Sequence, residues 1–188
     1  YEFIKKICFG TSIPITVSGG IKDLSIVEKI FMNGASKVSL NSAIFSDYKI
    51  IEKIAKIYGE QAVVINIEVR KINNLYKVFY NYGREFSNID LDEWLKIVQD
   101  NGAGEILLTS IDNDGLQKGF DFYLIENFYK EINVPLIISG GFNNVDDIIK
   151  VSKIGEFDFA IASSFHLNHT NIFNLKEKLQ ENNLYVRL

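Results

Sequence analysis

The feature that most constrains this chain is a repeat. "IPITVSGGI" at residues 13–21 recurs as "VPLIISGGF" at 134–142; Pro14 and Pro135, Ser18 and Ser139, Gly19 and Gly140, and Gly20 and Gly141 are each 121 residues apart. At the same offset "KVSLNSAIF" (37–45) falls on "DFAIASSFH" (158–166), which sets Ser42 over Ser163. A spacing held across two apolar runs and two loops predicts two copies of one structural unit rather than chance glycines.

Six runs rich in Ile, Val and Leu read as strands: "IPITVS", "KVSLN", "AVVINIE", "EILLTS", "VPLIIS" and "FDFAIA". They are apolar on both faces, as a parallel sheet covered by helices requires. Helical periodicity fills the intervals. Ile26, Val27, Ile30 and Phe31 follow Asp23, and Val145, Ile148 and Ile149 follow Asn144. Leu91, Trp94, Leu95 and Val98 follow Asp90, which with Glu93 predicts a capping box. Gly34, Gly59 and Gly102 stand where left-handed helix caps would fall, and Leu175 and Leu179 mark a last helix. "LYKVFYNYG" (75–83) alternates with period two and predicts a hairpin over the end of the third strand.

Six βα units suit either an open doubly wound sheet or an incomplete barrel. The repeat favours the barrel, with two copies of a half-barrel facing one another. The expected fold is therefore α/β, a TIM-type (β/α)8 barrel in incomplete form, as one domain over residues 1–188 with the hairpin inserted near 75–83.

Nearly half of the 188 residues are apolar, enough for the core of one domain. A net charge of -4 argues against nucleic acid or an anionic membrane as the main partner. Cys8 stands alone, which excludes a disulfide framework and a cysteine-ligated zinc site. No apolar run approaches the roughly 18 residues of a membrane helix. A soluble cytoplasmic protein is expected. The chain opens inside a helix-like pattern at Tyr1, and its one methionine is Met32, so it reads as lacking a first part.

A strand that ends in Ser-Gly-Gly and enters a helix presents bare backbone N–H groups at the catalytic face of a barrel, a combination that binds phosphate. In the second copy Ser139, Gly140 and Gly141 join Ser163 of "ASSF" to match the common barrel phosphate site. In the first, Gly20 is joined by Asn41 and Ser42. Two such sites imply a substrate with a phosphate at each end; the plainer alternative is a pair of tight turns.

Other chemistry should come from the C-terminal ends of strands. Glu68 ends "VVINIE", where partial burial could tune a proton-transfer group. "TSIDNDG" (109–115) offers Thr109, Asp112 and Asp114, with a solvated loop of Asx turns as the alternative. His166 and His169 are expected to be structural or solvent-facing, and no metal site is expected. Lys37 and Glu105 begin two strands, either as solvated starts or as an ion pair across the barrel floor.

With "IPITVSGGI", "GASKVSLNSA", "GAGEILLTSIDNDG", "VPLIISGGF", "ASSFH" and the terminal "YVRL", the chain resembles the HisF family, the cyclase subunits of imidazole glycerol phosphate synthase, along its whole length. The resemblance implies a (β/α) barrel of which the first two units, and one catalytic aspartate, are absent here. It implies ammonia delivered by a separate HisH-like glutaminase in a heterodimer, and conversion of the bisphosphate PRFAR to imidazole glycerol phosphate and AICAR in histidine biosynthesis, with no cofactor. By the same resemblance Glu68 and Asp114 are catalytic, and Thr109 and Asp114 line the substrate. Gly20, Asn41 and Ser42 hold one phosphate; Gly115, Ser139, Gly140, Gly141 and Ser163 hold the other. Lys37 and Glu105 belong to a charged gate where ammonia enters.

Glu68 lies in "NIEVRK" where the family usually reads "AIDAKR". Ser18, Asn113, Leu116 and Ser36 also depart from the usual glycine, arginine, threonine and aspartate. A second reading is a HisF-like paralogue that delivers ammonia to another acceptor, such as a sugar nucleotide in surface-polysaccharide synthesis. A third is a scaffold that retains only glutaminase or phosphate binding.

Overall fold

Each run apolar on both faces becomes a strand, and each segment of helical period becomes a helix. The computed structural model describes residues 1–167 and 170–186, so His169, Arg187 and Leu188 lie outside the described residues. The order is α1 (Glu2–Gly10), β1 (Thr16–Ser18), α2 (Leu24–Met32), β2 (Lys37–Leu40), α3 (Ser42–Ser46), α4 (Lys49–Tyr58) and β3 (Val63–Ile72). Then come β4 (Leu75–Tyr80), β5 (Glu85–Asp90), α5 (Leu91–Asp100), β6 (Glu105–Ser110) and α6 (Phe122–Phe128). The chain continues with β7 (Leu136–Ser139), α7 (Val145–Val151), β8 (Asp158–Ala160), α8 (Ser163–His166) and α9 (Ile172–Glu181).

The parallel strands follow one another in space in chain order, β1-β2-β3-β6-β7-β8. A doubly wound sheet reverses its order at a switch point; a barrel does not. The sequential order identifies the α/β barrel type, and among the described residues β1 and β8 remain its two outer strands.

Alternation along the strands divides the sheet into two faces. Val63, Ile65, Ile67 and Val69 of β3, Ile106 and Leu108 of β6, and Leu136 and Ile138 of β7 are buried. The core they form includes Val27 and Ile30 of α2, Ile51 and Ile54 of α4, and Leu91, Trp94 and Leu95 of α5. The opposite face carries Lys37, Asn66, Glu68, Glu105, Thr109 and Ser139, all partly accessible.

The repeat holds in three dimensions. α2 and α7, β2 and β8, and α3 and α8 each start 121 residues apart, at Leu24 and Val145, Lys37 and Asp158, and Ser42 and Ser163. Pairing is the same as well: Thr16↔Lys37, Val17↔Val38 and Ser18↔Ser39 in the first copy become Ile137↔Asp158, Ile138↔Phe159 and Ser139↔Ala160 in the second. Both glycine pairs have positive φ, 91° and 69° at Gly19 and Gly20, and 90° and 103° at Gly140 and Gly141.

Two local expectations are corrected. The hairpin is larger than residues 75–83, since β3 runs on to Ile72, turns through Asn73 and Asn74, and pairs with β4, which pairs with β5. Asn73 and Asn74 have φ of 49° and 65°, the double positive φ that a two-residue hairpin needs. Asp90 precedes α5, but the capping box with Glu93 does not form. Its carboxylate instead accepts from Lys77 Nζ at 2.9 Å, across the β4–β5 pair.

The outer strands and α1 set a physical expectation. An unpaired strand edge is a template for association. α1 has no buried residue, and it exposes Phe3 and Phe9 by about three quarters of their surface. Purified as these 188 residues, the protein is expected to sediment as dimers or larger species at micromolar concentration. A single monomeric species with a cooperative melt would count against that.

Candidate functional site

Parallel pairing places Glu68, Thr109, Ser139 and Ala160 in one row across β3, β6, β7 and β8. Thr109, Ser139 and Ala160 lie at or next to the C-terminal ends of their strands, and Glu68 lies one residue before the parallel pairing of β3 with β6 ends, on the side where a barrel gathers its chemistry. Asp114, Ser139, Gly140, Gly141 and Ser163, chosen separately from the sequence, line one cleft of about 380 Å³ together with Phe142 and Phe159.

The walls of that cleft are bound to each other. The Gly119 N–H donates to the Gly141 carbonyl at 2.8 Å, and Asn113 Nδ2 donates to the Gly119 carbonyl at 2.9 Å. A Cβ on Gly140 would stand 2.5 Å from the Ser110 carbonyl oxygen, and one on Gly141 2.2 Å from that of Gly119. These two positions need glycine for close approach as well as for φ. Ser164 Oγ donates to the Phe142 carbonyl at 3.4 Å and so fastens α8 to the turn after β7. The first N–H groups of a helix have no acceptor within it, and those of α8 adjoin Ser163 in the cleft wall.

On the first-copy side, Gly20 lies beside a separate groove of about 520 Å³ between α1, β1 and α2. Asn41 Nδ2 donates to the Asn66 carbonyl at 3.1 Å, continuing the β2–β3 ladder one residue past its last pair, Leu40↔Ile65. Ser42 Oγ donates to Asn41 Oδ1 at 3.1 Å and accepts the Asn81 N–H at 2.9 Å. The turn between β4 and β5 is thus tied to this side of the site.

Glu68 sits between the two sides. Burial pushes its carboxyl above the usual carboxylate range, and the negative charge of Asp114 adds to the effect; the Asn66 amide and the Gly83 N–H oppose it. Its Oε2 is buried without a hydrogen-bond partner. A carboxyl so placed binds a proton more readily than a solvent-exposed glutamate does, as a group that exchanges protons requires.

Asp112 plays a different part. It pairs with Arg70 Nε at 3.0 Å and accepts the Lys71 N–H at 2.9 Å, which clamps the loop after β6 to β3. Gly115 lies in the same loop with φ of 71°. Lys37 and Glu105 form a part-buried ion pair across β2, β3 and β6 at the opposite ends of the strands. Glu105 lies four residues before Thr109, about 13 Å below the Glu68 row at about 3.3 Å per residue. His166 ends α8, and no cluster of metal-ligating side chains occurs among the described residues.

Sequence reading missed Asn66, Asn81 and Gly83. The signal for Asn66 was present: it is an amide inside an apolar run, two residues before Glu68 and so on the same face. Asn81 and Gly83 act through backbone N–H groups placed by a turn, which residue type does not reveal. Among the described residues no helix is long and apolar enough to cross a membrane.

Comparison with known proteins gives a consistent result. The model of the histidine biosynthesis protein family matches residues 1–171. An imidazole glycerol phosphate synthase subunit HisF from Sulfolobus acidocaldarius is 41% identical over 177 residues, covering 94% of this chain and 71% of that protein. The proteins of the same name from Campylobacter concisus and Chlorobium limicola are 40% and 38% identical; both alignments cover 100% of this chain, with 74% and 75% of the relatives.

Proposed function

The chain belongs to the histidine biosynthesis protein family as a HisF-type cyclase subunit of imidazole glycerol phosphate synthase, and from that premise we propose which of its residues carry the reaction. As a lyase subunit it works within a complex. The partner we assign is a HisH-like glutaminase that supplies ammonia, in the cytoplasm.

In this reading the bisphosphate PRFAR spans the site. Ser139, Gly140, Gly141 and Ser163, with Gly115 beside them, hold one phosphate through N–H and hydroxyl donors. Gly20, Asn41 and Ser42 hold the other. Ammonia enters past Lys37 and Glu105 and adds to the substrate carbonyl between the two phosphates. Glu68 accepts and returns protons as the imidazole ring closes and AICAR departs, because its raised affinity for a proton suits it to both steps. Asp114 acts from the other side of Thr109, whose hydroxyl orients the substrate between them.

One observation carries this reading: the two glycine turns repeat with the same register at opposite ends of the strand order, and Glu68 lies on a strand between them. The test is consumption of PRFAR by the full-length protein with saturating ammonium and no glutaminase. Formation of imidazole glycerol phosphate and AICAR is expected. No turnover, with PRFAR still bound, would leave phosphate recognition and remove the cyclase role from these residues.

A further inference from the structure

We propose that Asn66 is a positioning residue: its side-chain amide aims the Glu68 carboxylate and joins it to the substrate-facing groups of both neighbouring strands. The inference rests on the assignment of Glu68 as the acid/base group.

Asn66 makes three contacts at the centre of the site. Its Nδ2 donates to Glu68 Oε1 at 3.3 Å. Its Oδ1 accepts from Thr109 Oγ1 on β6 at 3.4 Å. Its backbone carbonyl accepts from Asn41 Nδ2, at the end of β2, at 3.1 Å. One residue therefore touches a phosphate-side amide, the acid/base carboxyl and the hydroxyl of the substrate wall. The carboxylate fixes the orientation of the side-chain amide, since the reverse would set its oxygen against an acceptor-only group, whereas the Thr109 hydroxyl can donate or accept.

The chemistry needs such a guide. A glutamate has three side-chain torsions, and its reach varies by more than an ångström among staggered rotamers. Errors of that size at a reacting group are costly in rate. On this face of β3 the next residue, Arg70, pairs with Asp112 and does not restrain Glu68. Across the β3–β4 pair Glu68 stands opposite Phe79, which offers no side-chain hydrogen bond. The Asp114 carboxylate in the loop after β6 disfavours the charged form of Glu68 and gives it no hydrogen bond. The Asn66 amide and the Gly83 N–H are the groups that favour the charged carboxylate, and the amide is the one a mutation can remove.

The test compares the wild type with Asn66→Ala and Asn66→Asp in two measurements. First, the Glu68 side-chain carboxyl is titrated by carbon NMR in the protein without substrate, its resonance identified by its loss in Glu68→Gln. The midpoint is expected to rise by about one pH unit in Asn66→Ala. It should rise further in Asn66→Asp, where a second carboxylate replaces the donor. Secondly, ammonium-dependent turnover of PRFAR in Asn66→Ala should lose about tenfold in kcat with KM nearly unchanged, and its acid limb should move in the same direction as the NMR midpoint. In the Glu68→Asp background the loss caused by Asn66→Ala should shrink, because the shorter side chain withdraws from the amide.

An unmoved Glu68 midpoint in both Asn66 variants would overturn the proposal whether or not the protein turns PRFAR over. A midpoint that moves, in a protein that does not turn PRFAR over, would keep the positioning contact and reject the cyclase reading on which its catalytic meaning depends. Equal loss of kcat from Asn66→Ala in the wild-type and Glu68→Asp backgrounds would also overturn it, since Asn66 would then be acting through something other than this carboxylate.

Discussion

Glu68→Gln is expected to lower ammonium-dependent turnover by about 10²- to 10⁴-fold, the range for loss of a positioned acid/base group, and to raise the melting temperature at neutral pH. Both effects have one cause. Burial is the main reason the Glu68 carboxyl holds its proton more tightly in the folded protein than a free glutamate does, and the Asp114 charge contributes in the same direction. The folded state therefore prefers the protonated form. The stability this group gives is fully present below its unfolded pKa and is lost as pH rises through its higher folded value. Where Glu68 is ionised, the wild type bears a half-buried charge with one unpartnered oxygen, and glutamine removes that charge. The stability advantage of Glu68→Gln should shrink on acidification and vanish once both proteins are neutral at this position. Melting curves between about pH 4 and pH 8 would show it. Equal melting temperatures at neutral pH would mean that burial does not penalise the charge, and unchanged turnover would remove Glu68 from the chemistry.

Gly141→Ala should have the next largest effect. A methyl group there would meet the Gly119 carbonyl oxygen at 2.2 Å and Asn113 Cβ at 2.9 Å, at a residue whose φ is 103°. Backbone strain alone costs about 1–3 kcal/mol. To escape the contact, the segment carrying Asp114 and Gly115 must move away from the turn after β7, breaking the 2.8 Å bond between Gly119 and Gly141. KM for the bisphosphate should rise about tenfold or more, the equivalent of about 1.4 kcal/mol of lost binding. Gly19→Ala is the control. Its φ of 91° is also positive, but a Cβ there meets nothing within 4 Å. The cost should stay near the roughly 1–2 kcal/mol of conformation. If the two variants behave alike in urea melts and in KM, close approach at Gly141 is not what shapes the cleft.

The sheet could be read from the sequence because parallel strands buried by helices advertise themselves as apolar runs, and because the repeat distinguished a barrel from a doubly wound sheet. β5 could not. "EFSNID" is polar and poor in β-branched residues, and it is a strand because β4 pairs with it. The hairpin was read at 75–83, and the turn at Asn73-Asn74 before it was passed over; the length of β3 beyond Glu68 depends on that pairing. Within the site, residues whose own backbone makes the geometry were visible as glycines at fixed spacing. Residues that act through partners distant in sequence were mostly not. Lys37 and Glu105, open between solvated strand starts and an ion pair, do pair, whereas the Arg70–Asp112 clamp exists only once register is set. Asp112 illustrates the difference: by type and position it suited a solvated turn as well as a substrate contact, and pairing with β3 gave it neither role.

The matched register of the two copies has a consequence for direction. A backbone repeated residue for residue cannot tell the head of a molecule from its tail, so a linear ligand held by the turns alone would settle in both senses. What breaks the tie is the drift between copies: Asn41 at the start of α3 against Ala162 at the start of α8, and open space around Gly19 and Gly20 against crowded backbone around Gly140 and Gly141. On the proposed assignment, fidelity of orientation, and with it the choice of which half of the substrate meets Glu68, would reside in those few unlike positions.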